Sequence, residues 1–109
     1  MFDREVSFWS GALGRAAEKD EDEPEYRALG SLMPGFQFLV QQVGAAGRVH
    51  LDIETDDVEA EVRRLEALGA ERIQQIMTWW VMRDPAGLAF CVVRVQDAEA
   101  FDRLATTWE

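Results

Sequence analysis

The chain has 109 residues, 48% of them hydrophobic and 29% charged, which is enough for one folded core, too short for two independent domains and unlike a disordered composition. Its net charge of −10, with 21 acidic against 11 basic residues and no basic cluster, repels phosphate backbones and anionic bilayers, so neither nucleic acid nor membrane is expected as a partner. The lone Cys91 has no intrachain disulfide partner, and without a leader or a membrane-length apolar run a reducing cytoplasm is the expected location.

In chain order, Val6, Trp9 and Leu13 predict a helix over about Glu5 to Leu13, with Asp3 as a cap and Gly14 as its end. The acidic run Glu18 to Glu25, which includes Pro24, reads as a solvated loop. It lacks the glycine and the alternating oxygen ligands of a calcium loop. Strands are expected at Glu25 to Met33, Phe36 to Val43 and Arg48 to Glu54. Val58, Val62, Leu65 and Leu68 recur at helical spacing over Asp57 to Leu68, with Asp56 as the expected cap and Gly69 as the left-handed residue that ends the helix. Two more strands fill Glu71 to Met77 and Thr78 to Arg83. Asp84-Pro85-Ala86-Gly87 then turns the chain into a last strand, Leu88 to Val95, making a hairpin. Phe101, Leu104, Ala105 and Trp108 fall on one stripe of an expected tail helix over 97–109, with Asp97 as a cap.

The order contains a faint repeat. Ala12-Leu13-Gly14 ends the first helix as Ala67-Leu68-Gly69 ends the second, and the run from Gly35 to Val43 aligns with that from Gly87 to Val95. Each copy is a helix followed by three strands. The second copy also opens with a strand, Arg48 to Glu54, whose counterpart in the first copy would fall upstream of Met1. The fold class expected is therefore α+β: tandem βαβββ units forming a curved mixed sheet, with the first unit lacking its opening strand, plus a C-terminal helix. The whole is one domain, with unit one over about 1–47, unit two over about 48–96 and the helix beyond.

Phe8-Trp9-Ser10-Gly11-Ala12-Leu13-Gly14, Arg48-Val49-His50-Leu51-Asp52-Ile53 and Asp84-Pro85-Ala86-Gly87-Leu88-Ala89-Phe90-Cys91 stand in an order that resembles glyoxalase-like domains of the vicinal oxygen chelate superfamily. That superfamily includes glyoxalase I, extradiol dioxygenases and bleomycin-binding proteins. The resemblance implies a cup formed by the curved sheet. In metal-dependent members the opening strand of each unit gives a histidine or equivalent, and the last strand gives a glutamate. On this chain His50 matches one such position, Cys91 and Leu39 stand where the two glutamates would be, and the fourth position has no residue. The resemblance thus implies no resident metal or cofactor.

Strand alternation independently sorts the faces. Val49, Leu51 and Ile53 are expected to meet the helices, as are Phe36, Phe38 and Val40 with Leu88, Phe90 and Val92. The opposite face then carries Arg48, His50, Asp52 and Glu54, with Gln37, Leu39 and Gln41 and with Ala89, Cys91 and Val93. Trp79 and Trp80 are adjacent, so a strand points one to the core and the other to the cup or an interface; alternation alone leaves open which, and Trp80 is counted among the cleft candidates. The expected ligand cleft is Gln37, Gln41, Arg48, His50, Asp52, Trp80 and Cys91, with no catalytic residue assigned. His50 is read either as a ligand contact or as a hydrogen-bonded sheet histidine, and Cys91 as a small buried residue, because no cation or helix terminus beside it promotes thiolate formation.

Three functions fit these residues. One is a metal-free module binding a small aromatic or amphipathic molecule, as bleomycin-binding relatives do. Another is a metal-dependent lyase or dioxygenase whose site a second chain completes. The last is a dimeric scaffold without a ligand. A homodimer is expected because the missing strand leaves a sheet edge or half-cup open.

Overall fold

A computed structural model describes residues 2–33, 36–44, 47–96 and 98–108. The chain divides into two compact units, Met1–Ala46 with Leu104–Glu109, and Gly47–Arg103, so the boundary falls where the repeat changes copy.

In the first unit, α1 (Phe2–Leu13) precedes β1 (Glu18–Lys19), β2 (Tyr26–Met33) and β3 (Phe36–Gln41), which pair antiparallel in the order β1-β2-β3. The helix begins earlier than expected and stops where expected: Arg15 N–H donates to the carbonyl of Ser10 at 3.0 Å, closing the last turn. Trp9 lies half-buried between Phe8 and Phe38, with ring centroids 5.3 Å and 5.6 Å away. Leu29 and Val40 are this unit's buried apolar side chains among the described residues. One correction concerns the acidic run. Its first two residues are a strand, because Glu18 and Lys19 find backbone partners in Ala28 and Arg27 while their side chains remain in water. Charge forbids burial of a side chain but not pairing of its backbone.

The second unit is the expected βαβββ: β4 (Leu51–Thr55), α2 (Val58–Ala67), β5 (Glu71–Ile76), β6 (Trp79–Arg83) and β7 (Ala89–Arg94), in the sheet order β4-β7-β6-β5. β4 runs parallel to β7 and the other pairs are antiparallel, as required when a helix connects β4 to the sheet and hairpins connect the rest. The core is Val62 from α2 against Met82, Phe90 and Val92, with Ile53, Val58, Leu65 and Trp80 around it. Asp57, not Asp56, caps the helix: its Oδ1 accepts the Ala60 N–H at 3.0 Å, the position a cap residue reaches three residues on. Gly69 follows at φ +113°, a conformation that a side chain would strain. At the β6–β7 hairpin, Asp84 Oδ1 accepts the N–H groups of Ala86 and Leu88 at 2.9 and 2.8 Å, and Gly87 completes the turn at φ +91°. Arg72 ties α2 to β5 by reaching Glu59 at 2.7 Å and Glu66 at 2.9 Å.

Three further expectations are corrected. β4 starts at Leu51 rather than Arg48, because the ladder begins at Leu51 opposite Phe90 and β7 itself begins only at Ala89. Val49 and Leu51 are 79% and 53% exposed, so α2 covers the apolar face only from Ile53 onward. The tail helix α3 spans Ala98–Leu104, which leaves Ala105 and Trp108 beyond its end and breaks the expected stripe. Its expected cap, Asp97, lies outside the described residues.

Met82→Ala is expected to destabilise the second unit by about 2–5 kcal/mol, and Asp57→Ala by about 1 kcal/mol, both read from urea unfolding midpoints. A loss below about 0.5 kcal/mol for Met82→Ala would mean that the side chain is not the centre of this core.

Candidate functional site

The parallel pairing of β4 with β7 sets Asp52 directly beside Cys91, and β6 brings Val81 to the other side of Cys91. Laterally paired residues point to the same face, so Asp52, Cys91 and Val81 form one row across the face opposite α2. His50, two residues before Asp52, completes the group. Its Nε2 lies 3.1 Å from Asp52 Oδ1, with the two side chains 42% and 52% exposed. One ligand atom each from His50, Asp52 and Cys91 falls within 4.8 Å of the others. Three of the expected cleft residues are therefore assembled.

Of the remaining four, one is corrected, Trp80. Arg48 is exposed in the segment before β4. Gln37 and Gln41 are exposed on β3 of the first unit. Trp80 belongs to the other face: it pairs with Val92, packs against the core and lies under the Arg72 guanidinium, 4.9 Å from its ring centroid. The reason is parity. Val92 faces α2, so its partner does too, and alternation turns Trp79 and Val81 toward the Cys91 face. Trp79, half-buried, is the tryptophan on the site's side of the sheet. The sequence contained this answer only jointly with the β6–β7 register, which a five-residue hairpin loop does not disclose.

The electrostatics are those of a quiet thiol. Cys91 is 7% exposed, and both burial and the neighbouring Asp52 carboxylate push its thiol pKa up. A thiolate there would be desolvated and beside a negative charge. His50 can exchange hydrogen bonds with a ligand through its other ring nitrogen while Asp52 holds its orientation. The donor set poorly matches the hard divalent ion that the metal-dependent relatives would imply. Such ions select oxygen ligands, whereas here a single carboxylate stands beside a protonated thiol and an imidazole whose Nε2 it already engages.

Alkylation of Cys91 by iodoacetamide is expected to be slow in the folded protein and to accelerate only above the usual thiol range. Asp52→Asn should move the profile to lower pH, since it removes the repelling charge. The linkage has a definite sign: folding raises this pKa, so the associated stability is present below the unfolded thiol's value and is lost as pH rises through the folded one. An unchanged profile in Asp52→Asn would assign the whole shift to burial.

The family model described as a glyoxalase-like domain matches residues 1–93. Among solved structures, a member of the glyoxalase/bleomycin resistance protein/dioxygenase superfamily from Sphaerobacter thermophilus is 17% identical, with 85% of this chain and 87% of that chain covered at a TM-score of 0.38. No curated protein matches the chain. Among the described residues no helix is long and apolar enough to cross a membrane. Because the family match extends from the first helix into the last strand of the second unit, the chain belongs to the glyoxalase-like domain family.

Proposed function

We propose that the chain is a metal-free binding module that takes a small, aromatic or amphipathic molecule on the face bearing His50, Asp52 and Cys91. The observation that supports this reading is the His50–Asp52 pair at 3.1 Å, a fixed and accessible imidazole beside a thiol that keeps its proton. Such a group offers hydrogen-bond donors and acceptors without a nucleophile poised for covalent chemistry. Around it, Val81 and Trp79 supply apolar and aromatic surface on which a planar ligand can stack. Recognition is thus divided: polar atoms orient the ligand and the indole supplies contact area.

One observation favours the second reading, a metal-dependent enzyme. Imidazole, carboxylate and thiol within 4.8 Å would suit zinc better than a harder ion. The two readings separate cleanly by experiment. Native mass spectrometry and elemental analysis after chelator-free purification are expected to show no stoichiometric divalent metal. They should show a co-purified organic molecule that is lost in His50→Ala and in Asp52→Ala. Near-stoichiometric zinc, nickel, iron or manganese lost in His50→Ala would replace the binding module with the enzyme.

A further inference from the structure

On the face opposite α2, the sheet order β4-β7-β6-β5 lets one row of side chains be followed from edge to edge. Asp52 on β4 is registered with Cys91 on β7, Cys91 with Val81 on β6, and Val81 with Gln74 on β5. The row therefore has a carboxylate at one end, an amide at the other and apolar or thiol side chains between them. Along one flank lie Trp79 and Val93, two residues from Val81 and Cys91 on the same face, with Ile76 registered opposite Trp79. That flank ends at Glu54, registered with Val93 and engaged through Oε1, which accepts the Gln96 N–H at 2.7 Å. On the other flank Glu71 is registered with Arg83, so opposite charges neighbour each other there.

Gln74 joins this row only through an irregularity of the ladder. Arg72 is registered with Met82 and Gln74 with Val81, so Ile73 is an extra residue on β5 with no counterpart on β6. Continued regularly from Arg72 and Met82, the ladder would set Ile73 opposite Val81. The bulge thus puts an amide where an isoleucine would stand and leaves Ile73 42% exposed. Bulges re-aim side chains in this way, and they are over-represented beside active sites. Gln74 is itself exposed, and among the described residues its amide has no hydrogen-bond partner.

We infer that Gln74 is a specificity-determining residue of this face, and that the ligand lies across all four strands: a hydrogen-bond donor at Asp52, a planar apolar middle over Cys91 and Val81 beside Trp79, and a second polar group at Gln74. The inference rests on reading the His50–Asp52 face as a binding site. Three strand spacings separate β4 from β5, about 14 Å. With a hydrogen bond at each end, that is the span of two linked aromatic rings carrying a polar group at either end. A ligand with one polar end would leave Gln74 to water, while one with both ends polar and the right length binds at two fixed points. Asp52 and His50 then set the ligand's orientation, and Gln74 measures its length.

Isothermal titration of the full chain with two probes tests this: para-aminobenzamide, and its biphenyl homologue with a second ring between amine and amide. The wild type is expected to bind the biphenyl probe at least about tenfold more tightly than the single-ring one. Gln74→Leu should weaken the biphenyl probe about tenfold and leave the single-ring probe unchanged, since only the longer molecule reaches the amide. Gln75→Leu is the control, because Gln75 is registered with Trp80 and faces α2; it should change neither affinity. Far-UV circular dichroism checks the fold of each variant, and Gln74→Ala serves if Gln74→Leu does not fold. A folded Gln74 variant that binds the biphenyl probe within about twofold of the wild type overturns the inference, as does a wild type that binds neither probe. Asp52→Ala separates that failure from failure of the underlying reading: loss of both probes in Asp52→Ala with no effect at Gln74 leaves the face a binding site of another length, whereas unchanged binding of both probes in Asp52→Ala overturns the site and the inference together.

Discussion

The parallel ladder between β4 and β7 is the constraint on which the second unit depends. Its register, Leu51 with Phe90 through Thr55 with Arg94, decides both faces together. Ile53 and Val92 turn toward α2 and join the core, while Asp52 and Cys91 turn away and meet His50. A slip of one residue would exchange these sets, burying a carboxylate under the helix and exposing valine to water. Core and candidate site are thus alternatives specified by one set of backbone hydrogen bonds, and the large cost of the wrong face makes that register secure.

The energy behind this arrangement comes mainly from few side chains. Val62, Met82 and Val92 are fully buried, and Phe90 nearly so. Each contributes on the order of 1.5–3 kcal/mol relative to exposure. The surface ion pairs of Arg72 with Glu59 and Glu66 are screened by solvent and add little stability, and their role is better described as positional. They hold the guanidinium over the Trp80 ring at the boundary between α2 and β5, where the core would otherwise meet water.

How much of this was legible in the sequence depends on which physical signal encoded it. α2 was legible from Val58, Val62 and Leu65, and its end from Gly69, because helical periodicity and left-handed glycine are local properties. The β6–β7 hairpin was legible from Asp84 to Gly87 for the same reason. Alternation also predicted that Cys91 would leave the core face and join His50. What was missed needed partners distant in sequence. The strand at Glu18–Lys19 exists only because β2 offers an edge, the start of β4 is set by where β7 begins, and the side of Trp80 follows from its pairing with Val92. The choice of Asp57 over Asp56 as cap is a one-residue matter that two adjacent aspartates cannot announce.

The turn between β5 and β6 consists of Met77 and Thr78, and Met77 is the one described residue other than glycine with a positive φ, at +51°. For a residue with a side chain this conformation costs roughly 1–2 kcal/mol. Packing of the side chain does not hold it there, since Met77 is 82% exposed. Natural chains settle just above the stability they need, and unclaimed strain of this sort is a reserve that divergence can draw on. A lineage that acquired glycine or asparagine at this turn would gain tolerance for otherwise destabilising changes around His50 and Cys91. The face that carries them could then diversify without loss of the fold.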